Sequence, residues 1–183
     1  KSTFIKRFSE LLLLPHIQNE AQRARANDEL PQSAAGRTIM TTEPKFIPEK
    51  AVNIELSGGG SFRARLIDCV GYMVDGALGH EEQDAPRLVT SPWFDHEVPF
   101  DLAAETGTRR VIREHATVGV VVTTDGSVAD LPRENYCEAE RRIIAELEAI
   151  GKPYVILLNC TDPDSDAAHQ LAAQLQDTYQ RAV

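Results

Sequence analysis

Cysteine is scarce in this chain of 183 residues, which contains only Cys69, Cys137 and Cys160. The three lie far apart and form no C-x-x-C pair. A disulfide framework needs cysteines in pairs, and a zinc site needs closely spaced ligands. The pattern therefore argues against both and predicts reduced thiols in a cytosolic protein.

Long hydrophobic runs and an excess of positive charge are also lacking. No stretch of the sequence approaches the ~18 apolar residues of a membrane-spanning helix. The chain carries 19 lysines and arginines against 28 acidic residues, which gives a net charge of −9. Sequence-independent binding of nucleic acid requires clustered cations that replace counterions, so nucleic acid is not an expected partner. A single nucleotide is not excluded, because a few local cations and a metal ion can hold it.

The sequence does contain helical and strand-like segments in alternation. Periodicity predicts helices over residues 2–13, 19–30, 101–115, 134–150 and 165–181, and strands over 52–56, 62–67, 118–122 and 154–158. The last two strands are continuous apolar runs, which are typical of strands buried on both faces. Residues 31–48 and 70–100 are expected to be irregular, and Asp101 is a candidate N-cap. This order predicts one α/β domain with a mostly parallel sheet.

The first three residues match the end of a phosphate-binding loop. Such a loop follows the pattern G-x-x-x-x-G-K-[ST] and runs directly into a helix. Lys1, Ser2 and Thr3 are followed by an amphipathic helical segment, so we assign all three to nucleotide binding. The fold predicted from this match is a P-loop NTPase, a GTPase-like three-layer sandwich that is truncated at the P-loop.

Asp68 closes a predicted strand and is followed three residues later by Gly71. This spacing has the form of the D-x-x-G motif of GTPase-type folds, in which the aspartate holds Mg²⁺ through a water while Ser2 would be a direct ligand. The Gly71 amide would meet the γ-phosphate, where a Cβ would obstruct the approach. The alternative is a strand-end aspartate that starts a turn, and the preceding Lys1 and Ser2 favour the nucleotide interpretation.

Thr38, Thr41 and Thr42 lie in the loop before the predicted hairpin. Switch I of such enzymes occupies this place and uses a threonine to sense the γ-phosphate and magnesium. Thr41 and Thr42 are therefore candidate catalytic residues, and Thr42 is a candidate Mg²⁺ ligand. Hydroxyl pairs in loops also form ordinary turns, which leaves both interpretations open. Tyr72 stands where many GTPases carry a water-positioning glutamine, and no side chain is an obvious catalytic base.

Asn159 and Asp162 directly follow the last predicted strand. Guanine-reading GTPases carry N-K-x-D at this place, but the lysine position is occupied by Cys160. The alternative is a turn that leads to Pro163. Both the base-reading role and guanine preference are therefore open.

Several long segments carry a more specific signal than these motifs. DELPQSAAGRTIMTTEPKF, RLIDCVGYMVDGALG, GTRRVIREHATVGVVVTTDGS and EAERRIIAELEAIGKP fall within a match over most of residues 1–159. On these segments the chain resembles the stage IV sporulation protein A family, the coat-assembly ATPases of endospore-forming bacteria. The resemblance implies a GTPase-like (TRAFAC-type) fold that hydrolyses ATP with Mg²⁺. It also implies that Lys1 and Ser2 belong to the Walker A motif, Asp68 to Walker B or switch II, and Thr41 and Thr42 to the sensor threonines.

The resemblance also implies a cellular role. Hydrolysis is expected to drive irreversible polymerisation into the basement layer of the spore coat, on the forespore outer membrane facing the mother-cell cytoplasm. Expected partners are further copies of the protein, a small amphipathic membrane-bound peptide that recruits it, and later coat proteins. Residues 1–183 would be an N-terminal ATPase domain in which 70–100 form a switch II insertion. The first strand, the P-loop glycines, and the middle and C-terminal domains that self-assembly and membrane docking require would be absent from the chain.

Two further functions remain open at this stage. A GTPase switch is supported by Asn159 together with Asp162. A structural coat protein that binds nucleotide without catalysis is supported by the missing catalytic base. In either case we expect the chain alone to bind nucleotide poorly, because the missing backbone amides make the anion-binding nest.

Overall fold

A computed structural model of the protein describes residues 1–31, 44–82 and 85–183. The described part divides into two compact units. The first unit comprises residues 1–31 and 44–69, and the second unit comprises 70–82 and 85–183. Thr38, Thr41 and Thr42 lie outside the described residues, so their predicted roles stay predictions.

The first unit contains two helices and a hairpin. Its elements are α1 (Ser2–Phe8), α2 (Glu20–Asp28), β1 (Lys45–Glu55) and β2 (Ser61–Asp68). Helix α1 continues as a π-helical turn over Ser9–Leu13 and a 3-10 turn over Leu14–His16. Helix α2 is capped by Asn19, whose side chain accepts a hydrogen bond from the Gln22 amide at 2.9 Å. Both predicted helices are therefore present in this unit.

Strands β1 and β2 form the predicted antiparallel hairpin, with Ile54 opposite Phe62. The strand β1 begins at Lys45, so the prediction of a loop as far as residue 48 is wrong at its end. The register shifts between Ile47 and Val52, and Pro48 lies within this irregularity. A proline has no amide proton to donate to a ladder, so a bulge is where a strand tolerates it.

Apolar residues from both helical segments and both strands form the core of the first unit. Leu13 is completely buried and packs with Ile17, Ala26, Val52 and Ile54. Because these residues come from the helical face and the inward face of the hairpin, the core fixes β2 against the N-terminal helix. This packing places the last residue of β2 where α1 begins.

The second unit carries helices and strands in alternation. Its elements are β3 (Glu81–Glu82), β4 (Ala85–Pro86), β5 (Leu88–Val89), β6 (Val98–Pro99), α3 (Phe100–Arg110), β7 (Gly119–Thr124), α4 (Cys137–Ala149), β8 (Tyr154–Asn159) and α5 (Asp166–Tyr179). A π-helical turn over Val111–His115 extends α3, and a 3-10 turn over Arg133–Tyr136 precedes α4. The region predicted to be irregular therefore contains four two-residue strands.

The predicted N-cap at Asp101 is wrong. Helix α3 begins one residue earlier, at Phe100, with the extended residue Pro99 in the cap position. Pro99 has a ψ of 139°, which is extended and not helical, and its missing amide proton costs no intrahelical hydrogen bond at a helix start. Asp101 instead lies in the first turn, where its negative charge interacts favourably with the positive end of the helix dipole.

Strands β7 and β8 are parallel and in register from Gly119 opposite Tyr154 to Thr124 opposite Asn159. Their inward side packs with α4 around Ile144 and Leu147. On the other side Val118, Val120 and Val155 are 55%, 42% and 43% exposed. Burial on both faces, which the apolar runs predicted, is therefore wrong for these valines.

The pairings among the described residues are one parallel pair and three antiparallel pairs. Alternating helices and strands confirm a mixed α/β architecture. The larger three-layer sandwich with a mostly parallel sheet stays a prediction. Every helix within the described ranges is too short or too polar to cross a membrane.

Candidate active site

The first unit brings together three residues that the sequence assigned to phosphate and magnesium. Asp68 ends β2 and is only 4% exposed. Its Oδ1 lies 2.9 Å from the Lys1 Nζ, and its Oδ2 accepts a hydrogen bond from the Ser2 Oγ at 3.4 Å. The Lys1 ammonium also donates to the carbonyl oxygen of Cys69. Two segments 66 residues apart in sequence thus form one cluster of a cation, a hydroxyl and a carboxylate.

The donor set of this cluster fits a hydrated magnesium ion beside a phosphate. Mg²⁺ prefers oxygen ligands and usually takes one or two from protein, with water and substrate phosphate supplying the rest. Ser2 and Asp68 offer a hydroxyl and a carboxylate, and Lys1 offers a cation for phosphate oxygens. In the part of the chain that the structure describes, no group of three or more His, Cys, Asp or Glu side chains is placed to hold a metal. Thr3 lies in the first turn of α1 with an exposed side chain.

Gly71 belongs to the second unit and has a φ of +91°. Its amide donates a hydrogen bond to the Thr108 Oγ1 at 3.0 Å, and Thr108 is 1% exposed. A Cβ built at Gly71 meets no atom within 4 Å. The glycine is therefore required by its left-handed conformation rather than by a close neighbour in this state. The amide that was assigned to the γ-phosphate is bonded to a side chain here.

Tyr72 is packed among charged side chains of α3 and α4. It is 8% exposed, and the guanidinium carbon of Arg142 lies 4.2 Å from the centre of its ring. Arg142 donates two hydrogen bonds of 2.9 Å to Glu105. Burial, followed by the neighbouring carboxylate of Glu146, raises the pKa of Tyr72 to about 12. The side chain predicted to stand where many GTPases carry a glutamine is therefore held in a packed position.

Thr108 and Arg142 are the residues that the sequence did not single out. Thr108 lies 37 residues from the amide whose hydrogen bond it accepts, and Arg142 lies on α4 next to Arg141, with both side chains exposed. Neither occurs in a local motif, so only the three-dimensional contact identifies them. Arg109 lies on α3, and its Nε donates to the Glu146 Oε1 at 2.9 Å.

The loops that follow β7 and β8 meet at the same edge of the parallel pair. The Thr161 amide donates to the Ser127 Oγ at 2.9 Å, and the Ser127 Oγ donates to the Asp125 Oδ1 at 2.6 Å. Burial alone would raise the pKa of the Asp125 carboxyl. The hydrogen bonds from Ser127 outweigh burial, so this pKa is lowered. The segment 125–127 was missed because no motif marks it.

Asn159 and Asp162 occupy the second of these loops. Asn159 is exposed, and its carbonyl accepts from the Asp125 amide at 3.4 Å. The carbonyl of Asp162 accepts from the Ser165 Oγ at 2.8 Å, and Ser165 caps α5. These backbone contacts are those of a turn that leads into a helix, while both predicted base-reading side chains remain available for other contacts.

Comparison with known proteins gives a consistent result. The model of the family "Stage IV sporulation protein A, ATPase domain" matches residues 1–183. The chain is 53% identical over 179 residues to stage IV sporulation protein A of Bacillus anthracis and 52% identical over 179 residues to that of Bacillus subtilis (strain 168). Each alignment covers 98% of this chain and 36% of the relative.

The protein of the same name from Clostridioides difficile (strain 630) is 47% identical over 183 residues, which is 100% of this chain and 37% of the relative. No solved structure is a significant match. The chain thus spans about a third of the length of the curated relatives that it matches. A family model over all 183 residues shows that the chain belongs to the stage IV sporulation protein A family, in the part described as its ATPase domain.

Proposed function

We propose that this chain is the nucleotide-handling part of a Mg²⁺-dependent ATPase whose hydrolysis drives assembly of the spore coat basement layer. The observation that carries the proposal is the cluster of Lys1, Ser2 and Asp68, with Lys1 and Asp68 only 2.9 Å apart. Membership of a family whose matching model is named an ATPase domain supports it. The P-loop NTPase fold belongs to the same proposal.

The residues of the cluster have distinct roles in this proposal. Lys1 binds the β- and γ-phosphates, and Ser2 and Asp68 hold Mg²⁺, the serine directly and the aspartate through water. The metal neutralises the charge that develops during phosphoryl transfer. Such a transfer needs mainly positioning and charge neutralisation, so the missing catalytic base does not argue against it. Thr41 and Thr42 sense the γ-phosphate, and Thr42 also contacts the metal.

ATP is the nucleotide that the chemistry of the last loop favours. A guanine-reading motif needs a lysine whose stem covers the base, and this chain has Cys160 at that position. Burial raises the pKa of the Cys160 thiol, so it is neutral at physiological pH. A neutral short side chain offers neither the length nor the charge of that lysine.

Assembly and its partners belong to the whole protein, of which this chain matches about a third in its relatives. In the proposal, the hydrolysed state polymerises at the forespore outer membrane, in the mother-cell cytoplasm. A small amphipathic membrane-bound peptide recruits it, and later coat proteins build on it.

The test is phosphate release by the whole protein with ATP and with GTP, for the wild type, Lys1→Ala and Lys6→Ala. Lys6 lies on the same helix, within 4.0 Å of Glu10, and controls for loss of a helix cation. We expect ATP turnover that Lys1→Ala abolishes and Lys6→Ala retains. Turnover of GTP alone would replace the ATPase with a GTPase switch.

A second candidate is a structural coat protein that binds nucleotide without hydrolysing it. Two observations favour it: the Gly71 amide is bonded to Thr108, and Tyr72 is packed where other enzymes position water. Lys1-dependent binding of ATP with no phosphate release, and with assembly intact, would select this candidate.

A further inference from the structure

We infer that Thr108 is a positioning residue of the nucleotide switch, which withholds the Gly71 amide from the terminal phosphate until ATP displaces it. The inference rests on the proposed function together with the sequence prediction that the Gly71 amide donates to the γ-phosphate. Without nucleotide, the Gly71 amide donates its proton to the Thr108 hydroxyl oxygen. A phosphate oxygen must therefore compete with this side chain for the same proton.

The contact itself has the geometry of an ordinary strong hydrogen bond. The donor and acceptor atoms are 3.0 Å apart, close to the most common distance for an amide and an oxygen. Thr108 is 1% exposed in the last turn of α3, so no water competes for its hydroxyl from solvent. A backbone amide carries one proton. While Thr108 accepts it, the same proton is not available to a phosphate oxygen in good geometry.

The residues on either side of Gly71 pack against side chains of α3 and α4. Tyr72 packs beneath Arg142 of α4, which in turn is held by Glu105 of α3. Val70 and Met73 pack against the buried cluster at the start of α3. The flanking side chains therefore fix the path of the chain, and the amide of Gly71 is the group that can turn within it.

Glycine lowers the free-energy cost of rotating this amide. With a φ of +91°, Gly71 is in a region that other residues rarely adopt. Because it has no Cβ, it can also adopt negative φ at little cost. A Cβ at this position would meet no atom within 4 Å, so space is not what limits the residue. In the proposed switch, the peptide between residues 70 and 71 rotates at this glycine when the phosphate oxygen replaces the Thr108 hydroxyl.

This arrangement makes the switch respond to the terminal phosphate and not to nucleotide in general. A ligand shifts an equilibrium only by its differential affinity for the two states. ATP brings the oxygen that replaces the Thr108 hydroxyl, whereas ADP lacks it. The hydroxyl therefore lowers the affinity for ATP by the cost of breaking its bond, and leaves the affinity for ADP unchanged.

The matched variants are Thr108→Val, which removes the acceptor at nearly constant shape, and Thr108→Ser, which keeps it. Binding of a non-hydrolysable ATP analogue and of ADP is measured by calorimetry on the whole protein. In Thr108→Val we expect the ATP analogue to bind roughly three- to tenfold more tightly, the worth of one net hydrogen bond. ADP binding stays unchanged, and Thr108→Ser behaves as the wild type.

A measurement on the wild type keeps the inference testable if Thr108→Val does not fold. Within residues 1–183, selective labelling of Val–Gly pairs reports two amides by NMR, those of Gly119 and Gly71. The signal that the exposed-site substitution Val118→Ile removes belongs to Gly119, and the other belongs to Gly71. We expect its resonance to move with the ATP analogue and to stay in place with ADP. An amide that ignores a saturating ATP analogue, or a variant in which both nucleotides change equally, would overturn the role of Thr108 while the ATPase stands. Failure of the wild type to bind either nucleotide would overturn the proposed function and this inference together.

Discussion

At the scale of single residues, the contact between Lys1 and Asp68 has the clearest physical meaning. The aspartate is 4% exposed, and an isolated buried carboxylate is costly because it loses its hydration. The Lys1 ammonium at 2.9 Å compensates that charge, and its own side chain is 38% exposed. In the proposed ATPase, the phosphates balance the charge of Lys1 and the metal balances that of Asp68. Charge in the site is therefore balanced both with and without nucleotide.

Tyr72 gives a prediction about pH at the same scale. Its phenol has a pKa of about 12 in the folded protein and about 10 when unfolded. Below about pH 10 both states are protonated, and the folded state keeps its full stability. Between about pH 10 and pH 12 the unfolded state releases its proton first, so stability falls. We expect the free energy of unfolding of the wild type to fall faster across this window than that of Tyr72→Phe.

The measurement is urea unfolding of both proteins from about pH 9 to pH 12. Tyr72→Phe keeps the ring beneath Arg142 and removes only the hydroxyl, so the difference between the two curves isolates one titration. Tyr154 and Tyr179 also have raised pKa values and contribute equally to both proteins. Parallel curves across the whole range would show that the phenol of Tyr72 titrates normally.

At the scale of elements, a buried polar network joins one strand and two helices of the second unit. Glu140 of α4 is 6% exposed and contacts Arg133 at 2.7 Å. It also accepts hydrogen bonds from the Thr123 Oγ1 of β7 at 2.5 Å and the Tyr179 hydroxyl of α5 at 2.9 Å. Because every partner comes from a different element, the network holds these elements in fixed positions relative to one another.

Removing one partner of this network should be far more costly than removing the charged pair together. We expect Glu140→Leu to destabilise the fold by about 3–5 kcal/mol, because the Arg133 side chain, which is only 17% exposed, is left without its counter-charge. The double variant Arg133→Met and Glu140→Leu should recover most of that loss, since it leaves no uncompensated charge. Urea denaturation of the single and double variants measures both values. If the double variant lost the sum of the two single losses, the pair would not act as a unit.

The sequence predicted these elements well and the contacts between them poorly. Helix α4 was predicted because Ile144 and Leu147 recur at helical spacing and Gly151, with a φ of +64°, ends the helix. Periodicity carries no information on which helix meets which strand, so nothing in the sequence distinguishes the buried Glu140 from an exposed charge. The same limit explains the error at Asp101, where the preference of a residue for caps was outweighed by Pro99.

At the scale of the whole molecule, the candidate site was predictable in part. The order of motifs placed Lys1, Ser2 and Asp68 in one site, and the structure does bring these three together. Thr108 was beyond prediction, because a hydrogen bond between residues 37 positions apart leaves no local pattern. The family was identified from long segments. Such segments depend on the packing of many residues at once, whereas a three-residue motif depends on one loop.

Under the proposed function, assembly of the whole protein is the readout that separates binding from hydrolysis most sharply. If hydrolysis drives polymerisation, Lys1→Ala and Thr42→Ala should fail for different reasons. Lys1→Ala removes the charge on the β- and γ-phosphates, so it should neither bind ATP nor assemble. Thr42→Ala should bind ATP with nearly unchanged affinity, hydrolyse it at least tenfold more slowly, and assemble correspondingly slowly, because an absent sensor leaves the bound state intact.

The readouts are nucleotide binding, phosphate release and the sedimenting fraction, all on the whole protein with ATP and with a non-hydrolysable analogue. Thr161→Ala is the control, because this threonine lies in another loop and its structural contact is through the backbone amide. Wild-type protein should bind the analogue without sedimenting. Assembly by the wild type on the analogue would show that binding alone suffices, and the energy of hydrolysis would then have no part in building the layer.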